Sequence, residues 1–572
     1  MEKIKNLKKI FKNYQINGYL IPKNDEFFTE YVSNHNDRLN FISNFSGSSG
    51  LSLILSNKNY LFVDGRYTLQ AKKESGRIFS ILTVPKKTPN DILKNKKVTI
   101  GFDPKLFTKR TMSLLFKKNK CKFKPIYKNL IDEIWKRKIK KNKNQFYILP
   151  KNSSCRNYRL KINNISLHLK KMGADFLFIT ASENNAWLLN IRGHDSKYSP
   201  IPHSYIILDR FKNIKVFCDL NKIPTIFKKY FKNIQFYKTE LVEKFLAEIK
   251  NKNFILDKNT CSVHFENIIS QHNQITSYDD PIYNFKAIKN IKEINKIKAA
   301  HIYDGAALTK YLFWLKKNFN KIRITEISAS EKLLKFRKKN KNFKFLSFPT
   351  ISGTGPNGAI IHYNASPKTN RVLKKGDIYL VDSGGQYEFG TTDVTRTISL
   401  DNSDKKIRDI FTRVLKGHIA VTNFKLDRNV SGDKIDIAAR KYLKQIGLNY
   451  SHGTGHGVGY YLNVHEGPHA ISKNNKVCFQ EGMVVSNEPG YYKKNEFGIR
   501  IENLIYVKKN KNKKFFDNLT MAPIEKELID KNLLNKDEKK WLNQYHKNVF
   551  KNLKNLMNKS EIEELREACS AI

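Results

Sequence analysis

The sequence predicts a multidomain protein of mixed α/β and α+β class: two α/β domains, an α+β domain and a helical C-terminal tail. The chain has 572 residues, 40% of them hydrophobic, which is enough for several cores at about 150 residues per domain. Short apolar strand candidates bounded by turn residues occupy the first half of the chain. Strands and glycine-rich loops then dominate residues 345–507, and helical periodicity returns after them.

The first two domains are expected at residues 1–145 and 146–284. The basic run KRKIKKNK at residues 136–143 is the expected linker between them. The strand candidates that define the two domains are GYLIP at 18–22, LSLIL at 51–55, YLFV at 60–63, FLFI at 176–179, YIIL at 205–208 and VF at 216–217.

The α+β domain and the tail are expected at residues 285–510 and 511–572. Isoleucines at every third position from Ile288 to Ile297 predict a helix that opens the α+β domain and continues through residues 306–319. In the tail, Trp541, Tyr545, Val549 and Leu553 recur every four residues, which predicts a further helix. A capping box at residues 560–563 predicts a last short helix.

The net charge of +53 invites a nucleic-acid or membrane-surface interpretation, but its distribution argues against one. Residues 351–500, which hold the glycine-rich motifs, carry 21 basic and 14 acidic side chains. The excess lysine is spread over the rest of the chain, as in a sequence with a compositional bias toward Lys, Asn and Ile. Scattered lysines indicate solvated surfaces, so we expect no nucleic-acid partner.

Several features favour a cytoplasmic protein. No run of about 18 uncharged apolar residues is present, so no membrane span is expected. The lysine-rich N-terminus lacks the apolar core of a secretory signal. The six cysteines have no paired spacing, which is typical of reduced thiols.

The segment DIYLVDSGGQYEFGTTDVTRTISL at residues 377–400 contains the first two candidate site residues. Two β-rich runs flank Gly384-Gly385 and a polar turn, which predicts a hairpin-like pair of strands. Such a pair brings Asp382 and Asp393 onto one patch. Buried carboxylates repel each other unless a cation lies between them.

Three later residues complete a candidate metal site: His456 in HGTGHGVG, Glu488 in SNEPGYY and Glu502 in GIRIENLIYV. Glu502 lies in a predicted alternating strand, where an inward carboxylate needs a partner. Four carboxylates and one imidazole suit two divalent ions such as Mn²⁺ or Co²⁺ better than a thiolate-bound structural zinc. Two metal ions about 3.5–4 Å apart polarise a carbonyl and activate water, which is hydrolytic chemistry.

These motifs resemble those of aminopeptidase P, the cytosolic three-domain Xaa-Pro aminopeptidases of the pita-bread metallopeptidase family. The resemblance runs from about residue 18 to about residue 553. It rests on DGRY at 64–67, DEIW at 132–135, NAWLLNIRG at 185–193, VDSGGQYEFGTTDVTRT at 381–397, HGTGHGVG at 452–459, NVHEGPH at 463–469, NEPGYY at 487–492 and GIRIEN at 498–503. It implies two creatinase-like N-terminal domains, a pita-bread catalytic domain and a homodimer.

The resemblance also implies a role for each site residue. The metal ligands fall on Asp382, Asp393, His456, Glu488 and Glu502, which are the residues already singled out, and they would hold two divalent ions per chain, with Mn²⁺ expected. Glu488 matches the residue that exchanges protons with the bridging water. His362 and His465 match groups that position substrate and stabilise the tetrahedral oxyanion. His452 and Arg500 match neighbouring positions that shape the site, for which a structural hydrogen bond remains an open alternative.

The implied activity is release of the N-terminal residue from peptides with proline at position two, through attack by a hydroxide that bridges the metal ions. A prolidase, which acts on Xaa-Pro dipeptides, would share the ligands and is the nearest alternative. About 280 residues before the catalytic domain disfavour a methionine aminopeptidase, and the intact ligands disfavour a creatinase. A metal-free pita-bread module that binds histones or nucleic acid is the remaining alternative of a different class.

Overall fold

The computed structural model describes residues 2–117, 119–137, 142–401, 404–426, 430–511 and 513–572. The chain divides into two compact units, Met1–Tyr283 and Asn284–Ile572. Residues 138–141, in the middle of the expected linker, lie outside the described residues. Within the described ranges, no helix combines the length and apolar composition that crossing a membrane requires. The four domain limits given above stay predictions.

The first unit contains two six-stranded sheets and a small two-stranded one. Its strands are β1 Gly18–Pro22, β2 Leu51–Leu55, β3 Asn59–Val63, β4 Ser80–Thr83, β5 Thr99–Phe102, β6 Lys122–Pro125, β7 Tyr147–Ile148, β8 Phe176–Ile179, β9 Ile191–Arg192, β10 Ser204–Asp209, β11 Ile214–Cys218, β12 Ile234–Lys238, β13 Asn253–Asp257 and β14 Gln274–Tyr278. Its helices are α1 Glu2–Ile10, α2 Arg38–Ser43, α3 Thr68–Ser75, α4 Pro89–Leu93, α5 Lys109–Leu115, α6 Leu130–Ile134, α7 Tyr158–Lys171, α8 Ser182–Leu189, α9 Ile226–Tyr230, α10 Val242–Glu248 and α11 Val263–Ser270.

The two large sheets of the first unit share one topology. Their strand orders are β4-β3-β2-β1-β5-β6 and β12-β11-β10-β8-β13-β14. In both, the central strand pairs antiparallel on one side and parallel on the other. In β1, Tyr19 and Ile21 belong to one hydrophobic core and Leu20 to another, so this sheet is buried on both faces. All six strand candidates named above for this unit are confirmed.

The second unit is built from four sheets and a set of helices. Its strands are β15 Phe343–Leu346, β16 Ile351–Thr354, β17 Ile378–Ser383, β18 Gly385–Tyr387, β19 Gly390–Thr391, β20 Val394–Ser399, β21 Gly455–Gly457, β22 Glu466–Ile471, β23 Val484–Asn487, β24 Gly490–Lys493, β25 Phe497–Arg500, β26 Asn503–Asn510 and β27 Lys513–Asn518. Its helices are α13 Ile291–Asn318, α14 Glu326–Lys338, α15 Lys405–Thr422, α16 Gly432–Lys444, α17 Lys536–Leu553 and α18 Lys559–Ala568, while α12, Ile282–Ala287, spans the division between the units.

Two helix starts differ from the predictions. The helix predicted from Ile288 begins only at Ile291, because Asn290 caps it in a capping box with Glu293. Ile288 instead forms an isolated bridge with Met483. The capping box of α18 is formed by Asn558 and Glu561, two residues before the predicted one. The predicted helix of the tail is confirmed as α17.

The strands that carry the first candidate ligands pack on α13. Alternate residues of β17, among them Tyr379 and Val381, share a core with Leu308 and Leu315 of the helix. The intervening residues therefore face the opposite side of the sheet, and Asp382 is one of them. The apolar face fixes the strand and leaves its other face for polar side chains.

A buried ion pair sits beside this layer. Arg337 of α14 donates from Nε and Nη2 to the two carboxylate oxygens of Asp304, at 2.7 and 3.0 Å, and both side chains are at most 2% exposed. Nη2 also donates to Ser383, the residue after Asp382. The Tyr387 hydroxyl donates to Asp304 at 2.9 Å. Such a pair is sensitive to the loss of either partner, because the remaining charge stays buried.

We expect Arg337→Met to lower the free energy of unfolding by about 3–5 kcal/mol, because it leaves Asp304 buried without its cation. Arg566→Met is the matched control, since Arg566 pairs with Glu563 at the surface, with 62% and 68% of the two side chains exposed. Its effect should stay below about 1 kcal/mol. Urea denaturation followed by tryptophan fluorescence measures both, and equal losses would contradict the assignment.

Candidate active site

The strand pair β17–β20 brings Asp382 and Asp393 together. In this antiparallel pair Asp382 lies opposite Thr395, and Asp393 directly precedes β20. Directly opposed residues share a face of the sheet, as do residues two apart in one strand. Asp382, Thr395 and Asp393 therefore face the same side, and the predicted pairing of these two runs is confirmed.

The five-stranded sheet β22-β21-β23-β26-β27 supplies the other three candidate ligands. Asn487 at the end of β23 pairs with Asn503 at the start of β26. Glu488 follows the first of these residues and Glu502 precedes the second, so the two carboxylates leave the same end of one strand pair. Glu502 lies between β25 and β26 and not within an alternating strand as predicted. Its amide donates to the Thr395 carbonyl at 3.2 Å, which joins the two sheets.

His456 is the middle residue of β21, whose glycines let other backbone segments approach closely. A Cβ atom at Gly455 would lie 1.9 Å from the Ser486 carbonyl oxygen, and one at Gly457 would lie 2.2 Å from that of Glu466. Neither position tolerates a side chain. The His456 amide donates to Ser486 Oγ at 2.9 Å, which fixes the strand beside Glu488.

The five side chains form one cluster, in which His456 and Glu488 keep 21% and 18% of their side chains exposed and the other three are buried. His456 Nε2 lies 3.4 Å from Asp393 Oδ2 and 3.6 Å from Glu488 Oε1. Ligand atoms of Asp393, His456 and Glu502 all lie within 4.8 Å of one another, close enough to hold one ion. Asp382, Asp393 and Glu502 are 7%, 4% and 1% exposed. Asp382 is held at the cluster through Arg500, which donates to its Oδ2 at 2.5 Å.

The pKa values in the cluster reflect the burial of its carboxylates and their mutual repulsion. Burial, with the charges of Asp393 and Glu488, raises the pKa of Asp382 to about 7 against the opposing effect of Arg500. Burial and the three other carboxylates raise the pKa of Glu502 well above its ordinary value. Burial also raises the pKa of Glu488. Burial alone would lower the pKa of His456, but Asp393 and Glu488 outweigh it and raise this pKa to about 9.

The chemistry of these donors fits divalent metal ions. Asp382 Oδ1 is buried and has no hydrogen-bond partner among the described residues. A buried carboxylate oxygen without a donor is unfavourable unless a cation binds it. Four carboxylates and one imidazole form an oxygen-rich set of the kind that hard divalent ions take.

Arg500 and His452 meet at a residue that the sequence analysis did not single out. Arg500 Nη1 donates to the Tyr492 hydroxyl at 2.7 Å, and His452 Nε2 lies 2.9 Å from the same oxygen. Arg500 Nε donates to Thr395 Oγ1 at 3.0 Å. Thr395 in turn donates to Glu502 Oε2 at 2.8 Å. Tyr492 and Thr395 lie within the quoted motifs, but nothing in a single sequence distinguishes them from their polar neighbours.

The two predicted oxyanion histidines lie in different loops. The His465 ring lies 4.3 Å from that of His456, at an interplanar angle of 74°. His362 follows the 3₁₀ helix Gly355–Ala359. The carbonyl of the preceding residue, Ile361, lies 3.5 Å from Arg500 Nη1, which places the His362 backbone at the margin of the site.

A buried lysine pair beside His465 was also missed. Lys289 Nζ donates to Glu466 Oε1 at 2.6 Å, and Lys286 Nζ lies 3.6 Å from Glu466 Oε2. All three side chains are at most 2% exposed. Lysines are usually exposed, so the sequence contains no signal for this cluster. It anchors the strand that begins just after His465.

Four sequence profiles match the chain in succession. Residues 3–134 and 137–293 match creatinase/prolidase N-terminal domains, residues 295–509 match metallopeptidase family M24, and residues 515–572 match the C-terminal region of that peptidase family. These matches agree with the expected class of two creatinase-like α/β domains, a pita-bread catalytic domain and a C-terminal extension.

Relatives match over the whole chain. A probable Xaa-Pro aminopeptidase P from Laccaria bicolor is 36% identical over 100% of this chain and 93% of its own length. Xaa-Pro aminopeptidase 1 from Dictyostelium discoideum is 37% identical over 98% and 94%. A crystal structure of a cytosolic X-prolyl aminopeptidase with a di-nuclear active site, from Caenorhabditis elegans, matches with a TM-score of 0.95 and 31% identity over 100% and 99% of the two chains.

The chain therefore belongs to metallopeptidase family M24, in its branch of Xaa-Pro aminopeptidases of the P type. A prolidase from Pyrococcus furiosus shares the fold at a TM-score of 0.50, with 24% identity over 62% of this chain. Membership of a metallopeptidase family and the di-nuclear site of the solved relative support two metal ions per chain.

We expect metal binding to release protons and to weaken as pH falls. The pKa of His456, raised to about 9, and that of Asp382, raised to about 7, keep protons on the metal-free cluster at pH 7, and a cation displaces them. Titration calorimetry of Mn²⁺ into metal-free protein at pH 7, in two buffers of different ionisation enthalpy, should show at least one proton released per chain. Identical heats in both buffers would contradict the prediction.

Proposed function

We propose that this chain is a dinuclear-metal aminopeptidase that releases the N-terminal residue from peptides with proline at position two. The observation that carries the proposal is the meeting of Asp382, Asp393, His456, Glu488 and Glu502 in one cluster. Similarity to Xaa-Pro aminopeptidases over the full chain supports the same activity. The Xaa-Pro bond is a tertiary amide with a ring on its nitrogen, and general aminopeptidases cleave it poorly. Its hydrolysis therefore requires a dedicated enzyme.

We propose these five residues as the ligands of two divalent ions, with Mn²⁺ as the expected metal. Asp393, His456 and Glu502 converge closely enough to hold one ion between them. Asp382 offers its unpartnered Oδ1, and Glu488 lies beside His456. When bound, the two ions would polarise the scissile carbonyl and make a water molecule acidic.

The proton transfers fall to Glu488. Burial raises the pKa of its carboxyl above the ordinary value, which makes the carboxylate a better proton acceptor. Ser486 Oγ donates to Glu488 Oε1 at 3.2 Å and orients the carboxylate. Glu488 would take the proton of the attacking water and return it to the proline nitrogen as the amide bond breaks.

Two histidines are proposed to stabilise the oxyanion of the tetrahedral intermediate. The His465 ring packs against that of His456, a proposed metal ligand, so its imidazole would lie close to the scissile amide. His362 would approach from the loop that Arg500 contacts. Arg500 and His452 are proposed to shape the site through Tyr492, and Arg500 also orients the Asp382 carboxylate.

We also propose a cytoplasmic location and a homodimer. The location is supported by the solved relative, whose description calls it a cytosolic enzyme. The homodimer is an implication of the family resemblance, and sizing by light scattering tests it. The intact ligand cluster argues against a metal-free module that binds nucleic acid or histones, for which a salt-sensitive gel shift would be the sign.

With Mn²⁺, the purified protein should cleave Arg-Pro-Pro into Arg and Pro-Pro. Arg-Ala-Pro, which lacks proline at position two, should remain intact, and a chelator should stop the reaction. The dipeptide Arg-Pro should be cleaved much more slowly. Product analysis by chromatography measures all three. Faster hydrolysis of the dipeptide would favour the prolidase alternative, and no cleavage of any Xaa-Pro peptide would refute the proposal.

Asp393→Ala should abolish turnover while the protein stays folded, because it removes a carboxylate from the proposed ion site without leaving a buried charge unpaired. Asp409→Ala is the control, since Asp409 pairs with Arg413 on the partly exposed side of α15. Its turnover should match that of the unaltered protein. Peptidase assays and circular dichroism measure both variants, and unaltered rates for Asp393→Ala would refute the ligand assignment.

A further inference from the structure

Arg396 is a fully buried cation that faces away from the candidate metal site. It lies in β20 between Thr395, which faces the site, and Thr397, and it is 1% exposed. Its five N–H groups face six neutral acceptors at 2.7–2.9 Å, so Nη2 shares one of its two hydrogens between two acceptors. The acceptors are the carbonyls of Pro523, Thr395, Glu502 and Ala522, the side-chain oxygen of Asn503 and the hydroxyl of Tyr545.

Two of these bonds hold the backbone of the proposed ligand Glu502. Arg396 Nη1 donates to the Glu502 carbonyl at 2.7 Å and to the Thr395 carbonyl at 2.8 Å. On the opposite side of the strand, Thr395 Oγ1 donates to the Glu502 carboxylate. Residue Glu502 is therefore fixed at its carbonyl and at its carboxylate, and both contacts depend on the position of β20 relative to β26.

Three of the other bonds of Arg396 lead to the C-terminal extension, and the fourth goes to Asn503 of β26. Pro523 and Ala522 lie within it, and Tyr545 comes from its helix α17. The Tyr545 hydroxyl accepts from Arg396 Nη2 at 2.9 Å and donates to the Ala522 carbonyl at 2.8 Å. Trp541 stacks on the Tyr545 ring at an interplanar angle of 1° and a centroid distance of 5.5 Å. Hydrogen bonds thus hold the Tyr545 hydroxyl, and stacking on Trp541 holds its ring.

A second connection runs from the same helix toward Glu488. Trp541 also packs edge-on against His418 of α15, with ring centroids 5.8 Å apart. His418 Nδ1 lies 3.1 Å from the carbonyl of Asn487, the residue before Glu488, and Asn487 Nδ2 donates back to the His418 carbonyl at 2.9 Å. Burial and the Arg396 charge lower the pKa of His418 to about 3, so the ring is neutral and donates from Nδ1.

We propose that the C-terminal extension is a working part of the metal site, in which Tyr545 acts through Arg396 as a positioning residue for Glu502. The inference rests on the proposed metal site but not on the proposed peptide specificity. Groups that hold a ligand in place commonly change metal affinity by 10–100-fold when they are altered. Loss of the Tyr545 hydroxyl removes one of the three acceptors around Arg396 Nη2 and the donor to the Ala522 carbonyl, which weakens the hold on Arg396 and on the strands that it joins.

Tyr545→Phe tests the proposal with the loss of one oxygen atom. Titration calorimetry of Mn²⁺ into the metal-free full-length protein should show at least a tenfold increase in dissociation constant. Tyr311→Phe is the matched control: Tyr311 is fully buried in the same unit, and its hydroxyl bonds that of Tyr379, away from the proposed ligands. Its Mn²⁺ affinity should stay within threefold of the unaltered protein. Unaltered affinity in Tyr545→Phe, or equal losses in both variants, would overturn the proposal.

A second measurement on the unaltered protein covers the case in which Tyr545→Phe does not fold. Coupling between the metal and the extension is reciprocal, so Mn²⁺ must stabilise α17 if α17 supports the metal site. Hydrogen exchange should slow at least tenfold in residues 536–553 when Mn²⁺ is added, and less in α7 of the first unit. No change in α17 would overturn the proposal. Neither measurement uses a peptide, so a failure of the proposed substrate specificity would be seen separately in the Arg-Pro-Pro assay.

Discussion

Mutual repulsion among four clustered carboxylates is the constraint on which the catalytic unit depends. Asp382, Asp393, Glu488 and Glu502 lie around one imidazole, and burial together with repulsion raises the pKa of three of them. Such a cluster is costly in a folded chain unless cations neutralise it. The surrounding structure holds the carboxylates in place, and the two ions proposed for the site would remove the repulsion.

Each carboxylate lies at or next to the end of a strand, close to a neutral or cationic hydrogen-bond donor. β17 and β20 place the two aspartates, while the facing ends of β23 and β26 place the two glutamates. Arg500 donates to Asp382 and Thr395 donates to Glu502, both on the face of the strands that carries the proposed ligands. Arg396 holds the backbone from the other side and links it to helix α17, so the extension contributes to the order of the site as well as to the core.

Much of this could be predicted from sequence because the signals are local. Apolar runs bounded by turns identified six of the fourteen strands described in the first unit, and four-residue periodicity identified α17. Four carboxylates and one histidine in β-rich, glycine-containing segments were the five ligand candidates. The predicted helix start at Ile288 and the predicted cap at Ser560 differ from the structure by three and two residues, because Asn290 and Asn558 provide the caps.

The remainder depends on contacts between segments that are distant in sequence. Arg396 meets Tyr545 across 149 positions and Glu466 meets Lys289 across 177, and neither pair has a local pattern. In a lysine-rich chain, nothing in the sequence distinguishes the buried Lys289 from the many exposed lysines. The shared topology of the two N-terminal sheets was also hidden, because it preserves strand order and direction without a repeated motif.

The most direct test of the central claim, that the carboxylate cluster exists to hold two cations, is the metal content of the protein. Elemental analysis after Mn²⁺ loading and removal of free ions should find two ions per chain, and Glu502→Gln should reduce that number. One ion or none per chain in the unaltered protein, or two in Glu502→Gln with unaltered affinity, would contradict the account.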